Sequence, residues 1–323
     1  MTARARYTLV EGWEKPRVRG PRPRSVSDVA VDSKDRIYLY TRDDNEVVIL
    51  DRDGTFLDAW GKERFGGRAH GITVGPDDLV YCVNDLEHTV RKFTGSGELL
   101  MTLGNVGVPS DTGYDRTRKT QLEKNASIAR SAPPFNRPTR VAIAPDGDLY
   151  VSDGYGNARV HRFSADGKLK LSWGEPGTGP GQFMVPHGVA IASDGRVVVA
   201  DRDNDRIQIF SQEGKYLDVW PGLSRPTSLF IRFGLVYVTE TGWAYDPEAA
   251  PPPPGNNDMP LRVSVLDEKG SLVARWDYAV APHGICANSR GDIFVASNNR
   301  RAGSGGGDAK RLDYSLLKFA LQS

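Results

Sequence analysis

The chain lacks most of the features that assign a protein quickly. Only two cysteines occur among 323 residues, Cys82 and Cys286, each inside an apolar strand-like run (VYCV, GICA). No disulfide framework can be built from them. Both read as buried free thiols, which fits a reducing, cytoplasmic setting. Charge of one sign is also missing: 42 basic against 41 acidic residues leave a net charge of +1. Such a balance gives no global field to hold nucleic acid or an acidic membrane surface. No apolar run is long enough to span a bilayer. The basic start, MTARARYTLVEGWEKPRVRGPRPRS, has no apolar core of signal-peptide length. Its segment Arg17–Arg24 reads as a solvated tether. What remains is an ordinary globular balance, 39% hydrophobic and 26% charged. A large all-β fold can run this far as one domain.

What the chain does have is repetition. RPTRVAIAPDGDLYVSDGYGNARVHRFSADGKLKLSWG (Arg137–Gly174) aligns with VPHGVAIASDGRVVVADRDNDRIQIFSQEGKYLDVWPG (Val185–Gly222). Each unit is an alternating apolar strand, a D-G turn and a second strand ending in Asp. A polar loop, a third strand with Phe, a Gly turn and a fourth strand ending in Trp follow. D-G and E-G between alternating apolar runs are hairpin signals. Four antiparallel strands in about 40–50 residues form a propeller blade. The unit recurs six times, at about 26–60, 69–103, 138–174, 186–222, 226–276 and 282–320. The last copy has only three strands. Tyr7–Trp13 (YTLVEGW) resembles the missing fourth and would close the ring, removing its free edges. The expected fold is therefore all-β, a single six-bladed propeller over 1–323, NHL-like and closed by its N-terminal strand. Two insertions, 105–136 and 241–260, break the rhythm and read as covers over one face.

Three of the five histidines fall in one local setting: RAHGITV, VPHGVAI and APHGICA. At the start of each blade the aligned residues are Ser27, His70, Thr139, His187, Thr227 and His283. Histidine thus occupies alternate blades, about 120° apart on an axis that the first strands line. Three imidazoles on an axis suit a divalent metal and leave positions open for water or substrate. Zinc is the first expectation. Iron, cobalt, nickel or copper would also accept this donor set. The glycines that follow, Gly71, Gly188 and Gly284, would let backbone crowd a narrow channel. His88 and His161 lie in other settings and read as structural.

Second-strand ends should reach the same mouth: Arg42, Asp85, Tyr155, Arg202, Glu240 and Asn298. Arg42 and Arg202 point to a carboxylate or oxyanion on the substrate, since guanidinium is a planar bidentate donor. Tyr155 beside a cation is a candidate base. Asp85, Glu240 and Asn298 are further substrate-binding candidates.

The six-blade pattern, the HG-type histidines and the strings SDGYGNARVHRFS and VADRDNDRIQIF resemble the peptidyl-α-hydroxyglycine α-amidating lyases and related NHL-repeat propellers. The resemblance covers nearly the whole chain. It implies a catalytic zinc on His70, His187 and His283, a catalytic tyrosine at Tyr155 and functional arginines at Arg42 and Arg202. It also implies cleavage of a carbinolamide N–C bond to an amide and glyoxylate. Some positions depart from the family. Gly156 and Val198 stand where secreted members carry cysteine. Gly284 replaces an aspartate that helps hold a structural calcium, which argues against that ion here. Ala281 replaces a methionine of the substrate pocket. A small polar metabolite with a carboxylate is the expected substrate, acted on by a monomer with no nucleic-acid or membrane partner. Three readings follow: a metal-dependent lyase, a lactonase-like hydrolase or hydratase, and a non-enzymatic NHL binding scaffold.

Overall fold

The structure is a computed structural model that describes residues 6–15, 25–42, 46–62, 64–66, 68–242, 261–277, 281–297 and 315–322. Six four-stranded antiparallel sheets follow one another in chain order. In blade one the strands are Val26–Val31, Ile37–Thr41, Val47–Leu50 and Phe56–Trp60. Blades two to five repeat that meander. Blade six is composite: Pro282–Ala287, Ile293–Ser297 and Leu316–Leu321 are completed by Tyr7–Leu9. Tyr7 pairs with Leu321 and Leu9 with Phe319, so the N-terminal strand ties the ring shut as expected.

Alternation in the sequence becomes burial between blades. Six apolar clusters form, one at each junction of neighbouring blades. The first three strands of a blade are almost wholly buried, whereas a fourth strand such as Phe56–Trp60 is exposed in its middle and buried at its terminal Trp. Those tryptophans explain the turn glycines. A Cβ on Gly97, Gly214 or Gly270 would lie 2.6, 2.9 or 2.5 Å from the ring of Trp60, Trp173 or Trp220 of the preceding blade. Each of these glycines also has positive φ. Only glycine meets both demands, so one residue shapes the hairpin and seats the neighbour. Trp13 plays the same part across the closure, its indole Nε1 donating to the Arg52 carbonyl at 3.1 Å.

The first insertion is ordered. It carries the short helix Gln121–Ala126, whose Thr120 and Glu123 form a reciprocal capping box. Asn125 donates to the Met184 carbonyl at 2.6 Å and Thr112 to the Gly156 carbonyl at 2.7 Å. The insertion is thereby docked beside Tyr155 and the segment leading to His187. Of the second insertion only Thr241 and Gly242 lie within the described residues. No described helix is long and apolar enough to cross a membrane.

Candidate metal centre and active site

In five of the six blades, all but blade three, the first strand begins with an irregularity. Pairing to the second strand slips at Ser27, His187, Thr227 and His283, and over His70–Gly71 in blade two. A bulge places two residues opposite one and re-aims side chains. Here it lets two successive residues face the channel, which a regular strand forbids.

The outer layer is the histidine ring. Ring centroids of His70, His187 and His283 lie 4.8, 5.1 and 5.2 Å apart pairwise. Each offers a ligand nitrogen within 4.8 Å of the others. The odd blades orient them. His70 Nδ1 donates to the Thr139 carbonyl at 2.7 Å, His187 Nδ1 to Thr227 at 2.8 Å and His283 Nδ1 to Ser27 at 2.6 Å. A carbonyl only accepts, so Nδ1 carries the proton and Nε2 the lone pair in all three. Burial first holds all three well below the usual histidine range, helped at each by nearby arginines among Arg42, Arg68 and Arg202 and, for His70 and His187, by the other imidazoles. They are neutral imidazoles at neutral pH, the form a metal would need.

Tyr155 enters this ring from blade three. Its hydroxyl lies 3.1 Å from His70 Nε2 and 2.9 Å from His187 Nε2. One phenolic proton can serve only one of the two buried Nε2 lone pairs it meets, and half-buried His283 brings a third, so acceptors outnumber the donor at the ring. A cation resolves that conflict. The donor set therefore fits a transition metal of the zinc type, whose ligands would be His70, His187 and His283.

The inner layer is built by the next residue of each blade: Asp28, Gly71, Arg140, Gly188, Ser228 and Gly284. Glycines lie in the histidine blades and polar side chains in the others. Arg140 Nη1 pairs with Asp28 Oδ2 at 2.6 Å and also donates to Ser228 Oγ. The Asp28 carboxylate accepts from the backbone N–H of Ile72 and of Val29, each at 2.9 Å. Burial pushes the Asp28 carboxyl above its usual value, while Arg140 and those two amides pull it down. The glycines make room: a Cβ on Gly284 would lie 2.6 Å from the Asp28 Cα and strike its carboxylate, and one on Gly71 would lie 2.6 Å from the Thr139 carbonyl oxygen. The calcium site of the resembled family does not fit here. The one carboxylate in this layer is engaged by a guanidinium that already supplies the positive charge.

The remaining sequence candidates separate by register. Backbone N–H groups of Arg42, Asp85, Tyr155 and Arg202 each reach the carbonyl two residues before the ring position, at Ser25, Arg68, Arg137 and Val185. In blade five the residue in that slot is Thr241, whose N–H reaches Arg225. Glu240 is one place earlier, and one place flips a side chain to the other face. Its carboxylate is buried within the blade, accepting from Ser224 N at 2.6 Å and pairing with Arg262 at 2.8 Å. Glu240 thus braces blade five and is not brought to the histidines. Asn298 lies outside the described residues. Arg42 Nε donates to the Ala69 carbonyl at 3.0 Å, next to His70. Arg202 packs over the Tyr155 ring at 5.5 Å and is held by Asp203 at 2.7 Å. Asp85 is wholly engaged, accepting from Arg68 Nε at 2.9 Å and Arg137 Nη2 at 2.9 Å. Those guanidiniums, Arg68 first, hold its carboxyl down to about 2 against the effect of burial.

Sequence reading missed Arg68, Arg137, Asp28 and Arg140. Arg68 and Arg137 lie near the mouth but before the first strand rather than after the second. Asp28 and Arg140 were hidden because regular alternation sends them away from the channel. His88 and His161 are structural: His88 Nδ1 accepts from Arg137 N at 3.0 Å, and His161 Nδ1 meets Ser172 Oγ at 2.7 Å. Cys82 and Cys286 are buried free thiols, pushed up by burial.

Comparison with known proteins now adds to this geometry. The family model for the NHL repeat matches residues 135–163 and 183–210, in blades three and four. The chain carries NHL repeats. This NHL-repeat propeller is 32% identical to human NHL repeat-containing protein 3 over 236 residues, 68% of this chain and 61% of that one. It is also 32% identical to peptidyl-alpha-hydroxyglycine alpha-amidating lyase 1 of Drosophila melanogaster over 163 residues, 47% of this chain and 26% of the fly protein. The matched stretch therefore spans about three fifths of the first relative and about a quarter of the second. Among solved structures, a streptogramin B lyase superposes with a TM-score of 0.63 over 98% of both chains at 14% identity, a likeness of fold.

Proposed function

We propose that the chain is a metal-dependent lyase that cleaves a small carbinolamide-like substrate bearing a carboxylate. The observation that carries this reading is the set of three Nε2 lone pairs, their tautomer fixed by backbone carbonyls, with the Tyr155 hydroxyl against two of them. Similarity to the amidating lyases, where this chain aligns with them, supports it. His70, His187 and His283 would hold the metal, which when bound supplies a Lewis acid for an oxygen of the substrate.

The residues of the chain do the rest. Arg202, braced by Asp203, holds the substrate carboxylate, and Arg42 holds the mouth beside His70. Tyr155, acting as its phenolate, takes the proton of the substrate hydroxyl and returns it to the leaving nitrogen. As that proton leaves, a carbon–oxygen double bond forms and the carbon–nitrogen bond breaks with its electron pair on nitrogen. Nitrogen regains a proton, giving an amide and a 2-oxo acid. The docked first insertion limits water at the site.

The test is Tyr155→Phe assayed on N-acyl-α-hydroxyglycines. Turnover should fall by about 10²–10⁴, the range for removing a positioned acid–base group, with metal content and melting temperature kept. Turnover at the wild-type level would remove Tyr155 from the reaction. Oxygen from labelled water appearing in the acyl product, and not merely in the exchangeable aldehyde of the 2-oxo acid, would replace the lyase with a hydrolase.

A further inference from the structure

Two arginine pairs, each bridged by one buried aspartate, surround Tyr155. Asp203 joins Arg202 to Arg225 at 2.7 and 3.1 Å. Asp85 joins Arg68 to Arg137. The second pair has no part in the reaction described above, yet it is built with care. Arg137 adopts φ +68, a left-handed conformation that costs energy for a residue with a Cβ. Its Nη1 donates to the Tyr114 hydroxyl of the insertion at 3.0 Å, and its guanidinium carbon lies 4.7 Å from the Tyr155 ring centre. Its Nε is buried with no hydrogen-bond partner among the described residues. Arg68 commits Nε and Nη2 to Asp85, and its Nη1 has no protein partner among the described residues. The Arg68 side chain is 29% exposed and its guanidinium carbon lies 5.8 Å from the same ring.

One carboxylate for two guanidiniums leaves a surplus positive charge and unpaired donors in a largely buried place, which is costly unless an anion joins them. Arg202 already serves the first carboxylate. We propose that Arg68 and Arg137 form a second anion subsite, so that the substrate class is a hydroxylated dicarboxylate. This rests on the lyase reading for the position of the hydroxylated carbon. Asp85 is then a positioning residue that fixes the two guanidiniums side by side and does not touch the substrate.

Calorimetric titration of the metal-loaded protein with glycolate, tartronate, malate and 2-hydroxyglutarate tests this without turnover. At least one diacid should bind tenfold or more tighter than glycolate. Arg68→Gln and Arg137→Gln should each cut that advantage below threefold, whereas Arg202→Gln should weaken glycolate as well. The subsite is refuted if no diacid outbinds glycolate, or if the advantage survives in both variants. Should Arg137→Gln fail to fold, Arg68→Gln and the wild-type comparison still decide. Turnover of N-acyl-α-hydroxyglycines without a diacid preference refutes the subsite alone. A diacid preference without any turnover refutes the lyase reading alone.

Discussion

Even and odd blades share one backbone plan but do opposite work at the axis. Blades two, four and six present imidazole followed by glycine. Blades one, three and five present Ser or Thr followed by Asp28, Arg140 or Ser228. The even blades thus supply the imidazoles, and the odd blades supply the carbonyls that orient them and the ion pair that floors the channel. A sixfold frame is thereby converted into a threefold site. Neither set is sufficient: without the odd-blade carbonyls the imidazole tautomers are undefined, and without the even-blade glycines the floor does not fit.

Changes on the two sides should therefore fail differently. The largest effect is expected from His187→Ala, which should lower metal affinity by more than about 100-fold, since even outer-shell losses cost 10–100-fold. Elemental analysis after dialysis checks this, and the melting curve of the metal-free protein should change little by comparison. The floor should fail in stability instead. Arg140→Leu leaves the Asp28 carboxylate buried and unpaired, a loss of about 3–5 kcal/mol in chemical denaturation. Removing both charges, as in Asp28→Ala with Arg140→Leu, should recover a substantial part of it. A double variant as unstable as the single one would mean that packing, not charge, holds the floor.

A smaller effect distinguishes the glycines. Gly284→Ala meets the Asp28 Cα at 2.6 Å, whereas Gly188→Ala meets its nearest neighbour at 3.1 Å. The first should cost about 1–3 kcal/mol, the range for overpacking, and the second less. Equal costs would show that the blades shift apart freely at the axis.

Acid should separate mouth from floor most gently. Asp85 and Asp203 are held down to about 2 from the ordinary 3.8, against burial, by their arginines, Arg68 foremost for Asp85 and Arg202 for Asp203. A lowered folded value contributes stability that is full above the unfolded value and is lost as pH falls from about 4 through 2. Asp28 is shifted the other way by burial, so its contribution has the opposite sign and it does not share that loss. In Asp85→Asn the slope of stability between pH 4 and 2 should flatten, as read by denaturant midpoints. An unchanged slope would place the acid-sensitive groups elsewhere.

Much of this was legible in the residues. Turn glycines, terminal tryptophans and period-two alternation specify the hairpins, and six copies specify the ring. The histidines were legible because repeats can be aligned, so that His70, His187 and His283 report one position. Glu240 shows where alignment stops: one residue of slip at a strand end reverses a side chain, and apolar alternation does not mark that slip. Arg68 and Arg137 show the other gap. Nothing local distinguishes them from the other basic residues before a strand, and their meeting on Asp85 depends on how blades two and three close against each other.

By itself, then, the sequence determined the number of blades, the closure by Tyr7–Leu9 and the threefold placing of the histidines, because these follow from local periodicity and repeat count. Only the tertiary structure decided which atoms converge. The strand-start bulges turn two successive residues toward the axis. The neighbouring blade's carbonyl chooses each imidazole tautomer, and Asp28 meets Arg140 across 112 residues of chain. Such contacts depend on backbone deviations of one residue and on packing between distant repeats, and neither leaves a pattern in any single segment.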